Sequence, residues 1–231
     1  MPTLTHFRLC PHSRSIRLLL GELGLPFTAA EERPWEYRTE LMAMNPAGEL
    51  PVLTMPGGPV LCGSYAISEY IADEIGLRPA DGRAAPLFPG TREDRAEVRR
   101  LVDWFHGKLN REVTREILEE KVYRGYRSQG TEVPDAQILR AVRANLRYHV
   151  SYIAYLAHER RWLAGDDMSF ADLAAAAHLS TLDYLGEMPW DEFEAVRVWY
   201  SRIKSRPAFR PLLTDRISGI AAPMHYADLD F

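Results

Sequence analysis

The chain has 231 residues, 46% of them apolar, with 28 basic against 32 acidic side chains and a formal net charge of −4. That length and apolar content suit one large domain or two small ones with an ample core, while the near balance of charge excludes a nucleic-acid binder. No apolar run approaches the roughly 18 residues of a membrane span, no leader pattern opens the chain, and two cysteines make neither a disulfide framework nor a zinc site, so a cytoplasmic protein without membrane, nucleic acid or metal is expected.

Residues Thr3 to Arg8 alternate in the manner of a short strand, and Pro11 opens a helix with Ile16, Leu19, Leu20 and Leu23 at apolar positions. A second strand is expected over Phe27 to Glu32, then a short helix from Pro34 to Met44, a strand after Pro51 and another from Pro59 to Cys62. The next helix starts at Ser64, with Ile67, Tyr70 and Ile71 on one face. Gly76 to Gly90, rich in Pro, Gly and Ala, is the natural linker, placing one domain at 1–78, the linker at 79–90 and a second domain at 91–213. Beyond it the period becomes helical: Val98, Leu101, Val102, Phe105, Leu109, Val113 and Ile117 mark one long helix, and Ile138, Val142, Leu146, Val150 and Ile153 a second. Tyr123 to Pro134 reads as the polar loop between them. Ser169-Phe170-Ala171-Asp172 has the form of a capping box, and residues 214–231 form a tail.

Two runs carry the chemistry. In Asn45-Pro46-Ala47-Gly48-Glu49-Leu50-Pro51, an X-Pro bond whose trans preference is only about 0.5–1 kcal/mol can be locked cis at a strand entry, leaving neighbouring backbone groups free to grip a peptide. In Leu61-Cys62-Gly63-Ser64, a strand gives way to a helix whose first N–H groups and Ser64 hydroxyl suit a carboxylate. Both runs resemble the glutathione-transferase family, as do the Ser169 box and Trp199 to Phe209, so the likeness spans nearly the whole chain. It implies an α+β two-domain fold, thioredoxin-like followed by all-helical, and a glutathione cleft built on Leu50, Pro51, Gly63 and Ser64. One departure stands out: the family has Glu where this chain has Gly63, so the acidic partner for the tripeptide's ammonium group is missing.

Cys10-Pro11-His12-Ser13 stands at the entry to the first helix, where the macrodipole favours a thiolate. With Ser13 in place of a second cysteine, Cys10 could form a mixed disulfide with glutathione but not resolve it internally. The resemblance agrees, since cysteine-type transferases carry a similar run there. The alternative is an inert buried thiol on a scaffold that has lost its chemistry. His12 would stabilise a thiolate if it pointed inward, but it is expected on the solvated surface; Cys62 is expected as a packing residue, and glutathione as a possible ligand but not a required cofactor.

Two further runs do not look enzymatic. Glu31-Glu32-Arg33-Pro34-Trp35-Glu36 sets an aromatic among charges, either as a partner anchor or tucked against its own sheet. The end, His225-Tyr226-Ala227-Asp228-Leu229-Asp230-Phe231, suits capture as an extended strand through Tyr226, Asp228, Leu229 and Phe231; the alternative is a tail folded back on its domain. Both runs are similar to those of a glutathione-transferase-like branch of alphaproteobacterial cell-division proteins that bind the tubulin-like polymer FtsZ. That likeness implies a homodimer acting on FtsZ filaments at the division site, with no need for transferase chemistry.

Overall fold

The computed structural model describes residues 1–75 and 87–229. The N-terminal part is a four-stranded sheet in the order β2-β1-β3-β4, formed by β1 (Thr3–His6), β2 (Thr28–Glu31), β3 (Val52–Thr54) and β4 (Val60–Cys62). β1 runs parallel to β2 and antiparallel to β3, so Leu4 pairs with both Ala29 and Leu53. A parallel neighbour needs a crossover, which α1 (Pro11–Glu22) supplies. Pro11 occupies the first turn, where its missing N–H costs nothing, and Leu23 closes the helix before Gly24 at φ +64°. α3 (Ser64–Ile75) packs beside α1.

The C-terminal part is helical throughout. α4 (Arg92–Asp103) begins on a capping box between Thr91 and Asp94 and runs on without a break to residue 127. Two stretches, Trp104–Thr114 and Glu119–Tyr123, are wound as wider π turns; the Arg115 N–H, for example, donates to Asn110 O, five residues back. α5 (Ala136–Glu159) follows, then α6 (Phe170–Tyr184) and α7 (Glu194–Lys204). α6 is buried at every residue, and its run Ala174–Ala177 lets the surrounding helices approach closely. The expected box is present: Ser169 Oγ accepts from Ala171 N, while Asp172 accepts from Ser169 N (3.0 Å), Leu163 N (2.9 Å) and the Trp199 indole (3.0 Å).

The expected two-part α+β architecture is therefore the one observed, with four local corrections. The helix expected over Pro34 to Met44 is a single turn, Pro34–Glu36, and then α2 (Thr39–Met44), because Tyr37 at φ +49° breaks the winding. The loop expected from Tyr123 is helical as far as Arg127. Its polar residues lie along a helix face, where Arg124 pairs with Glu120 (2.9 Å), while Tyr123 and Tyr126 pack inward on Trp35. The expected linker lies outside the described residues up to 86, but Leu87 and Phe88 at its end are core residues and Leu87 O accepts from Phe170 N. Finally, residues 214–229 do not extend away from the molecule. Tyr184 Oη accepts from Ile217 N and donates to Ile220 O, and Met224–Ala227 coils into one 3-10 turn against α6 and α7.

Candidate functional site

The cleft residues read from the sequence do come together. Cys10 is the N-cap of α1, and its Sγ lies 3.5 Å from Ser13 N and 3.7 Å from Leu50 O. The Leu50–Pro51 bond is cis, as expected. Pro51 O is not left open: it accepts from Gly63 N at 2.9 Å, which ties the cis-proline loop to the start of α3, where Ser64 is buried. Cys10 and Leu50 are thus in contact, and the cis-proline loop is tied to the start of α3.

The expected activation of Cys10 is not found. Burial pushes its thiol pKa up, because a thiolate there would leave water, and the Ser13 N–H at the helix start offsets only part of that. Beside it, Tyr123 is also held far above its usual range, by burial first and by Cys10 second. Gly63 sits at φ +85° with no atom within 4 Å of where a Cβ would stand. A Cβ would meet nothing there, but the left-handed backbone favours glycine, and no carboxylate stands at this position. The Cys10 thiol and buried Ser64 stand where the sequence reading put them, and position 63 carries no side chain. Cys62 donates to Met44 O (3.4 Å) and is half-buried, a packing role consistent with its expected one.

Next to the cleft lies a cavity of about 520 Å³ walled by Trp35, Phe7, Tyr126 and Ile217, with Arg8, Arg33, Arg38, Arg216 and Glu31, Glu32 and Glu36 around them. Neither Cys10 nor Ser64 lines it. Trp35 is half-buried: its ring meets Phe7 edge-on (5.1 Å between centroids) and stacks on Tyr126 at 4.8 Å with 3° between planes. It neither stands free nor tucks only against its own sheet, but joins the two halves of the molecule and leaves one edge to the cavity.

The tail differs most from expectation. Tyr226, proposed above as an anchor offered to a partner, is 1% exposed. Its hydroxyl accepts from Arg14 Nη1 (3.0 Å) and donates to Leu212 O (3.0 Å), and its ring meets Tyr184 edge-on. Arg14 is itself fully buried on α1, also reaching Ser180 Oγ (2.9 Å), Asp215 and Arg8 O, so only a tail folded inward satisfies it. Asp228 and Leu229 remain at the surface, Leu229 41% exposed; Asp230 and Phe231 lie outside the described residues.

His12 is half-buried rather than freely solvated. It stacks on His106 (4.5 Å between centroids), and both approach His178 from α6. Single histidines on three separate helices carry no spacing signal, so sequence reading passes over this cluster, as it does the Tyr123–Tyr126 wall.

Comparison with known proteins agrees with this architecture. The family model for the N-terminal domain of glutathione S-transferase matches residues 4–79, and that for the C-terminal domain matches 117–207. The chain is 45% identical over 232 residues to FtsZ-localized protein A of Caulobacter vibrioides, covering 99% of this chain and 98% of that one. Among solved structures, it is similar to a glutathione S-transferase from Sinorhizobium meliloti, with a TM-score of 0.94 and 45% identity over the whole of both chains. It is also similar to FzlA from C. crescentus, with a TM-score of 0.90 and 45% identity over 100% of this chain and 99% of that one.

Proposed function

The chain belongs to the glutathione S-transferase family, and from that premise we propose that it is a binding member of the fold, one that engages FtsZ filaments and regulates constriction at the division site without needing transferase chemistry. The observation that carries this reading is the 45% identity, maintained over 99% of the chain, to a protein described as FtsZ-localized. The state of the cleft supports it. Burial disfavours the thiolate at Cys10, and Gly63 supplies no acid for a tripeptide ammonium group.

The contact surface we assign is narrower than the sequence suggested. It comprises Asp228 and Leu229 on the outer edge of the tail and the free edge of Trp35 above its charged cavity. Tyr226 serves by holding that edge in place. A homodimer would present two such surfaces, and divalency is what bending a filament requires. Replacing Asp228 and Leu229 together by Ala tests the assignment: co-sedimentation with FtsZ polymer should drop while the melting temperature holds. Unchanged co-sedimentation would remove the tail from the contact.

A second reading rests on Cys10 standing beside Leu50 and Ser64, the layout of a cysteine-type glutathione transferase or thiol reductase. Calorimetry with reduced glutathione, together with a disulfide-reduction assay on the wild type and Cys10→Ser, separates the two. Binding with turnover that is lost in Cys10→Ser would favour the enzyme.

A further inference from the structure

His12 near the start of α1, His106 in the π-wound stretch that continues α4, and His178 in the middle of α6 bring three imidazoles to one point, with one ring nitrogen from each lying within 4.8 Å of the others. We propose that these three residues form a binding site for a borderline divalent transition-metal ion of the Zn²⁺ or Co²⁺ class, held by three imidazole nitrogens with a solvent molecule completing the shell.

The spacing fits. His106 Nδ1 and His178 Nε2 lie 3.1 Å apart, close to the edge of a tetrahedron with metal–nitrogen bonds of about 2.0–2.1 Å, roughly 3.3 Å. The outer nitrogens are held the way metal-bound histidines are held. His106 Nε2 meets Ser15 Oγ at 3.1 Å, and His178 Nδ1 meets Thr114 Oγ1 at 2.9 Å, so each ring is oriented from behind and its inner nitrogen faces the other.

Proton bookkeeping makes the metal-free state definite. Ser15 Oγ donates to His12 O (2.8 Å), so it accepts from His106 Nε2–H, and His106 Nδ1 is left bare. His178 must then carry its proton on Nε2, pointing at His106 Nδ1, and take the Thr114 hydroxyl proton on Nδ1. His12 Nε2 faces His106 O (3.1 Å), which can only accept, so its Nδ1 is bare too. Loading an ion requires one tautomer change, the His178 proton moving to Nδ1 with Thr114 Oγ1 becoming the acceptor. No proton leaves the cluster.

The surroundings support a neutral, ligand-ready set. Burial holds all three imidazoles below their usual range, His106 and His178 well below it, and the charged side chain acting on His12 is the Glu49 carboxylate, which a cation would welcome. His12 and His106 are half-buried, whereas His178 is fully enclosed. His12 stands two residues from Cys10, whose Sγ is directed at Leu50 O rather than at the imidazoles.

The test uses the full chain stripped of metal by chelation and titrated with Zn²⁺ in a calorimeter and with Co²⁺ by visible absorption. His12→Ala and His106→Ala are compared with His158→Ala, whose side chain is 80% exposed on α5. The expected result is one equivalent bound by the wild type and by His158→Ala, and affinity lower by at least about tenfold in the other two. Should those two fail to fold, X-ray absorption on the Zn²⁺-loaded wild type decides, and a shell of three imidazole nitrogens is expected. No saturable uptake, affinity indifferent to His12 and His106, or a shell without imidazole would overturn the proposal and leave a hydrogen-bonded histidine chain.

Discussion

Tyr226 offers the sharpest stability prediction, because a sequence reading would place it in a partner's pocket and the structure places it in the core. Tyr226→Phe keeps the ring but deletes two hydrogen bonds, one donated to Leu212 O and one accepted from the buried guanidinium of Arg14. A neutral bond is worth about 0.5–1.5 kcal/mol and one to a charged group about 1.5–3, so the loss should total about 2–4.5 kcal/mol. Arg14 Nη1 keeps Ser180 Oγ at 2.9 Å, which limits the damage to the lower half of that range. For a chain of this size, 1 kcal/mol moves the melting temperature by roughly 2–4 °C, so scanning calorimetry should show a fall of roughly 4–12 °C. Tyr226→Ala adds the cavity left by an aromatic ring and should cost at least about 4 kcal/mol. Leu229→Ala, three residues on and 41% exposed, should stay within about 0.5 kcal/mol of wild type. If Tyr226→Phe melts with the wild type, the tail does not dock through Arg14 and the inward fold is wrong. A practical consequence is that a truncation beginning at Tyr226 confuses unfolding with loss of binding.

The other predictions concern separate parts of the molecule. Trp35→Ala loses the stack on Tyr126 and the edge contact with Phe7 and should cost about 2–3 kcal/mol in urea unfolding, with Trp35→Phe recovering much of it. Asp172→Ala removes the reciprocal half of the capping box at the start of α6 and leaves the Ser169 N–H, the Leu163 N–H and the Trp199 indole N–H without their acceptor, for about 3–5 kcal/mol in the same assay. Glu97 is drawn down from 4.5 to about 2 by hydrogen bonding to Arg100, aided by Arg160. A carboxylate with a depressed folded pKa stabilises above its unfolded value and loses that contribution as pH falls from about 4.5 to about 2, so Glu97→Gln should flatten the melting temperature profile across that window. The effect is on the order of 1–2 kcal/mol after solvent screening.

Local geometry was legible in the sequence wherever one residue type had one physical use. Pro51 at a strand entry, Pro11 in a first helical turn and the Ser169–Asp172 box each named its own backbone, and each is found as expected. Placement that depended on distant partners was not legible. The thiol of Cys10 looked activated from its helix start alone, but helix and loop packing bury it, and desolvation outweighs the N–H it accepts. Tyr226 looked available because nothing in its neighbourhood along the chain says that a buried arginine 212 residues earlier needs its hydroxyl. Tyr123 and Tyr126 were hidden in a polar stretch whose charged residues proved to be one face of a helix. In each case the missing information was a contact of high sequence separation, which pattern and propensity do not carry.

The account turns on what the intact chain binds, and co-sedimentation with preassembled FtsZ polymer, run beside a reduced-glutathione titration of the same preparation, addresses it most directly. Saturable pelleting of the protein with polymer, with no heat of glutathione binding, is the predicted outcome. Protein that stays in the supernatant at every polymer concentration while binding glutathione and reducing disulfides through Cys10 would contradict it.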